Sequence, residues 1–173
     1  VLSVFSTILF IAFITQTKTM VPDEFRAKIG NRIYGCDTCQ TVCPKNKGKL
    51  NWIHDEFTPD PELAKPLLQP LLNISNKEFK GKFGHVSGSW RGKKPIQRNA
   101  ILALAHFKEA AAIPDLLELL KKDERPVIRG TAAWALGKIG GEGVVQALLA
   151  AKEREQDDEV LVEINKGLAM LTQ

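Results

Sequence analysis

The pattern of apolar and polar positions divides the chain into four stretches. Residues 1–17 open with an uncharged apolar run, VLSVFSTILFIAFI. Residues 18–60 are broken by Gly, Pro and Cys, residues 61–94 are polar and rich in Lys, and residues 95–173 carry apolar positions at helical spacing. The opening run is shorter than the roughly 20 residues a bilayer span needs. It has neither a basic stretch before it nor a small-x-small cleavage site after it. It is read as a buried strand or helix rather than as a membrane or secretory segment. Helices are expected over Pro22–Ala27, Pro61–Leu67, Asn76–Lys82, Ile96–Phe107, Pro114–Leu120, Val127–Ile139, Gly143–Lys152 and Val160–Leu171.

In the last stretch the pattern repeats. Pro95–Leu104 parallels Pro126–Leu136, and a weaker third copy runs from Val160 to Leu171. Between the first two lies an amphipathic segment, Ile113–Leu120, with Pro114 in its first turn, where a missing N–H costs nothing. Gly137 and the pair Gly140-Gly141 suit the end of the following helix. Helix pairs of this period resemble short HEAT-like repeats, and VIRGTAAWALGKIG is close to that signature. Trp134, inside it, is expected in the core.

Three cysteines, Cys36, Cys39 and Cys43, fall within eight residues. So close and odd a set is a poor disulfide framework and points to metal in a reducing compartment. The spacing C-x2-C-x3-C-P, ending at Pro44, matches the right-hand end of the bacterial ferredoxin run. Iron–sulfur ligation is the leading reading. Zinc held by the three cysteines with His54 or His85 is the alternative, and no metal a third.

Composition changes the picture in one place. The 173 residues, 44% hydrophobic and 25% charged, are ordinary for a globular chain, and the net charge is only +4. Between Asn73 and Asn99, however, Lys77, Lys80, Lys82, Arg91, Lys93, Lys94 and Arg98 face one acid, Glu78, with Phe79, Phe83 and Trp90 interleaved. Basic charge attracts phosphates and aromatic faces stack on unpaired bases. The bland alternative is a solvated loop whose aromatics pack inward. Arg91, Lys93, Lys94 and Arg98 are the expected phosphate contacts, with Lys18 a further candidate. No Ser/His/Asp arrangement, Gly-rich phosphate loop or carboxylate pair is evident.

The string Ile29-Gly-Asn-Arg-Ile-Tyr-Gly-Cys36-Asp37-Thr-Cys39-Gln-Thr-Val-Cys43-Pro-Lys-Asn46 resembles the second cluster motif of epoxyqueuosine reductases, and the helical tail is similar to theirs. The resemblance implies an oxidoreductase that reduces epoxyqueuosine to queuosine in tRNA, with cobalamin and two [4Fe-4S] clusters. It implies that Cys36 and Cys39 bind one cluster, that Cys43 crosses to the other, and that Cys36 and Asp37 lie beside the corrin. The chain resembles the C-terminal part of that family. The family's cobalamin domain and complete first cluster motif have no counterpart here, and Phe10 stands where the family has a cysteine. Residues 1–17 are therefore expected to reflect a truncation or frame shift, and the chain alone to be inactive, with no catalytic residue of its own. The expected fold is mainly α, a cysteine-rich ferredoxin-like iron–sulfur loop region followed by a HEAT-like α-solenoid tail. Its expected divisions are an apolar segment (1–17), an iron–sulfur region (18–60), a helical basic junction (61–94) and HEAT-like repeats (95–173). A cytoplasmic monomer that binds a tRNA anticodon stem-loop, takes electrons from an external donor and has no membrane partner follows from the same resemblance. Two other readings stay open: a HEAT-like RNA-binding module without redox activity, and a ferredoxin-like electron-transfer protein.

Overall fold

Every regular element among the described residues is helical. The computed structural model describes residues 11–49, 56 and 58–172. In chain order the helices are α1 (11–16), α2 (Asp23–Ile29), α3 (Thr38–Thr41), α4 (Pro61–Ala64), α5 (Leu68–Leu72), α6 (Asn76–Phe83), α7 (Lys93–Phe107), α8 (Ile113–Lys122), α9 (Pro126–Ile139), α10 (Val144–Lys152) and α11 (Asp158–Leu171). The start of the apolar run, Phe10 included, and Trp52 and His54 lie outside the described residues.

Local chemistry explains the helix ends. Ser75 and Glu78 form a reciprocal capping box at the start of α6, and the Asp157 carboxylate accepts from Glu159 N and Val160 N at the start of α11. The expected helix over Pro61–Leu67 is instead two short ones, α4 and α5, separated at Lys65–Leu67. Pro70 sits at the third position of α5, where the N–H has no intrahelical partner to lose. Pro95 occupies the same position in α7, so that helix begins at Lys93 rather than at Ile96.

The repeat read from the sequence becomes a stack. Helix α9 packs between α7 and α11, with α8 and α10 beside them and α5 against both α7 and α8. Ile101, Leu104, Leu116, Ile128, Leu136, Leu148 and Ile164 form its shared core, together with Leu72, Phe79 and Phe83 from α5 and α6. The α9–α11 contact is close because both helices present glycine. A Cβ on Gly137 would stand 2.3 Å from Gly167 Cα. A second, smaller cluster joins Ile11, Ile14, Val21 and Ile29 to Leu102 on α7. Trp134 packs against both clusters and is partly rather than fully buried. A buried bidentate ion pair between Arg26 and Glu163 ties α2 to α11, and Arg26 lies 4.9 Å over the Trp134 ring. Among the described residues no helix is long and apolar enough to cross a membrane.

Candidate cofactor groove and nucleic-acid face

The cysteine loop is held in place by helix α7. Asn99 donates to the Thr15 and Ile33 carbonyls, each at 2.8 Å, while Arg98 donates to the carbonyls of Ile14, Thr17 and Thr19 at 2.6–2.9 Å. Arg98 also donates to Asn99 Oδ1, so the two side chains act as one unit. The Thr15 hydroxyl then accepts from Gly35 N at 2.9 Å, immediately before Cys36. Gly35 has φ 72, which permits the turn into the loop.

This arrangement corrects the expectation for Arg98. Its side chain is fully buried, and the guanidinium is committed to backbone carbonyls and Asn99, so it presents nothing to a phosphate. Burial lowers it from its ordinary value to about 10, which leaves it charged at neutral pH. The sequence reading missed Asn99 and Thr15 altogether. Polar residues inside an apolar-periodic helix were the available signal, because such residues must find partners when buried.

The three cysteines are free thiols and each is half-buried. Cys36 follows Gly35, Cys39 lies within α3, and Cys43 precedes the 3₁₀ turn Pro44–Asn46. The Cys36 sulfur is 3.2 Å from Thr38 Oγ1, which also accepts from Arg32 at 3.1 Å. Burial works to raise the Cys36 thiol, but the Thr38 hydrogen bonds and the Arg32 charge outweigh it and hold the thiol below its ordinary value. The thiolate is the form that binds metal. Among the described residues no three His, Cys, Asp or Glu side chains converge as a metal cage. His85, a partner in the zinc alternative, is exposed.

Cys36 and Asp37 line a groove of about 1420 Å³. Its walls come from Arg32–Thr38, from Leu63–Pro70, from Val86–Gly88 and from Leu104 and Phe107 at the end of α7. The lining is mixed: Tyr34, Val42, Leu67 and Phe107 are exposed apolar side chains, while Asp115 at the edge accepts from Gln69 and Asn73. Tyr34 lies against Gly88, where a Cβ would come within 2.9 Å of the ring. The turn Ser87–Arg91 thus abuts the cysteine side of the groove.

The basic residues divide by role. Lys93 donates to the Ile74 carbonyl at 2.7 Å, and burial together with the Arg125 charge lowers its ammonium from the ordinary value. Lys94 is half-exposed at the start of α7. Arg91 stacks on Trp90, 4.1 Å from the ring centroid. Lys18 is exposed between Thr17 and Thr19, whose carbonyls Arg98 holds. Lys77 and Lys80 are exposed on α6, and Lys82 is paired with Glu62 at 3.1 Å.

Comparison with known proteins gives this geometry its family. A model for 4Fe-4S double cluster binding domains matches residues 6–46, and one for HEAT repeats matches residues 92–169. An epoxyqueuosine reductase from Bacillus cereus is 71% identical over 163 residues, which are 94% of this chain and 43% of that protein. An uncharacterized protein encoded in the gldA 3′ region of Geobacillus stearothermophilus is 66% identical, and this chain covers 74% of it. A crystal structure of epoxyqueuosine reductase with an epoxyqueuosine-modified tRNA-Tyr stem loop superimposes with a TM-score of 0.90 at 69% identity, covering 94% of this chain and 44% of that one. The chain thus spans a little under half the length of the curated reductases it matches. With a cluster-binding region, a HEAT-repeat stack and this degree of identity, it belongs to the epoxyqueuosine reductase family.

Proposed function

We propose that this chain is the C-terminal, cluster-binding and RNA-facing portion of an enzyme that reduces epoxyqueuosine to queuosine in tRNA. One observation carries the reading: the loop with the three cysteines opens on a large groove whose adjoining turn is basic and aromatic. In this reading residues 18–60 form the cluster region, 61–94 the basic junction and 95–173 the repeat scaffold.

The donor set suits iron–sulfur chemistry in kind. Each [4Fe-4S] cluster takes four thiolates, so two clusters need more than these three. Cys36 and Cys39 would bind one cluster and Cys43 the other, which accords with three thiols that do not converge on one point. Groove size supports a large planar cofactor. At about 1420 Å³ it exceeds the roughly 300–1,000 Å³ of ordinary small-molecule pockets. Cys36 and Asp37 would lie beside the corrin of cobalamin, which when bound supplies the reductive organometallic chemistry. What this chain's own residues do is structural and electrostatic. Arg98 and Asn99 fix the loop, Arg32 and Thr38 favour the Cys36 thiolate, and Gln69 and Asn73 hold the Asp115 carboxylate at the edge.

For RNA, Arg91, Lys93, Lys94 and Lys18 would contact phosphates of an anticodon stem-loop, Lys93 with the donors its bond to Ile74 leaves over. The electron donor would be external, and the protein a cytoplasmic monomer. Titration of the purified chain into a labelled tRNA anticodon stem-loop at two salt concentrations tests this reading. Binding that weakens with salt and with Lys94→Ala supports it; no binding at low salt overturns it.

A further inference from the structure

The turn Ser87–Arg91 carries an arrangement that the helical scaffold does not use. Trp90 is 67% exposed, while its neighbour Arg91 covers one ring face at 4.1 Å. Arg91 Nε is sealed from solvent and has no hydrogen-bond partner among the described residues. A large exposed aromatic and a buried unpaired donor are both unfavourable on a surface with nothing to bind. Gly92 follows at φ 80, and that left-handed turn delivers the chain directly into α7 with Lys93 and Lys94 in its first turn.

The surroundings favour a polyanion. Helix α6 packs against this turn and exposes Lys77 and Lys80. The acids near it among the described residues are engaged: Glu78 in the capping box with Ser75, Glu62 with Lys82, and Asp123 with Arg125. The other end of the turn, at Gly88, rests on the Tyr34 ring, and Tyr34 shares the groove with Cys36 and Asp37.

Resting on the RNA reading above, we infer that Trp90, backed by Arg91, is a stacking platform for one unpaired nucleobase, and that it holds an RNA loop at the rim of the groove containing Cys36 and Asp37. The free ring face offers the base a planar apolar surface, and the guanidinium on the opposite face limits the freedom the indole would lose on binding. Stacking is tolerant of base identity, so the platform positions the loop without reading its sequence. The flanking lysines supply the phosphate attraction, which is also independent of sequence.

The test compares two RNAs by fluorescence anisotropy: an anticodon stem-loop and a blunt duplex of the same stem. The wild-type chain is expected to bind the stem-loop more tightly. Trp90→Ala is expected to weaken stem-loop binding about tenfold and to leave duplex binding unchanged. Trp90→Phe, which keeps a ring, is expected to recover most of the loss. Trp90 is exposed, so the variants retain the fold, and circular dichroism checks this. Stem-loop binding that Trp90→Ala leaves intact, or equal weakening on both RNAs, overturns the platform while the RNA reading stands. Failure of the wild-type chain to bind either RNA overturns both.

Discussion

Asn99 donates to the Ile33 carbonyl at 2.8 Å, and through this bond a helix of the repeat stack holds the segment three residues before Cys36. The same amide reaches the Thr15 carbonyl. Asn99→Ala would leave two carbonyls and the Arg98 guanidinium short of partners. A loss of about 2–3 kcal/mol is expected in urea unfolding. Because the loop itself loosens, alkylation of Cys36 by iodoacetamide under native conditions should accelerate. An unchanged alkylation rate would show that the loop does not depend on α7.

Arg98 and Lys94 lie on the same helix and should behave oppositely. Arg98→Lys has only three donors, too few to serve the three carbonyls together with the Thr17 hydroxyl and Asn99 Oδ1 that the guanidinium fork reaches, and is expected to cost at least about 2 kcal/mol of stability. At temperatures where the variant remains folded, its RNA affinity should show the wild-type salt slope. Lys94→Ala should leave stability nearly unchanged and reduce that slope by about one. A reduced slope for folded Arg98→Lys would restore Arg98 as a phosphate contact.

Two glycines give a paired stability test. Gly137→Ala would drive a methyl group into Gly167 on the facing helix, where backbone cannot yield cheaply, and should destabilise by about 1–3 kcal/mol or more. Gly81→Ala, on the exposed face of α6 with nothing within 4 Å, should stabilise by about 0.5–1 kcal/mol. Thermal denaturation of the two variants should therefore move in opposite directions from wild type.

Acid should weaken the stack through two carboxylates. Burial acts to raise Asp123, but its bonds from Arg125 prevail and hold it below the ordinary carboxylate value; the Arg129 hydrogen bonds do the same for Glu155. A carboxyl depressed in the folded state contributes stability that is fully present above its unfolded value, near 4, and is lost as pH falls through the folded value. Tm should thus drop as pH goes from about 5 to 3. The double variant Asp123→Asn, Glu155→Gln should start lower at pH 7, by about 1 kcal/mol per site after discounting solvent screening, and should fall less steeply. Parallel curves for the two proteins would contradict this.

Much of the fold was legible because the repeat is written in local terms. Pro114 and Pro126 mark first turns, Gly140 ends α9, and the apolar period runs between them. The cysteine motif was legible for the same reason, since its chemistry lies in spacing. Tertiary partnership was not legible. Arg98 sits in a basic stretch and reads as solvent-facing, yet α7 turns it onto the carbonyls of residues 14–19. Nothing in the local pattern around Arg98 names a partner some 80 residues earlier. The groove was hidden likewise, because Tyr34, Leu67 and Phe107 come from segments distant in sequence.

The most direct test of the central claim is a chimaera. A full-length family member has its matched segment replaced by this chain, and conversion of epoxyqueuosine to queuosine in tRNA is followed by nucleoside mass spectrometry as the loss of one oxygen. The chimaera is predicted to convert the modified nucleoside, and Cys36→Ser within it to abolish conversion. A folded chimaera with its full iron content that leaves the epoxide intact would contradict the account.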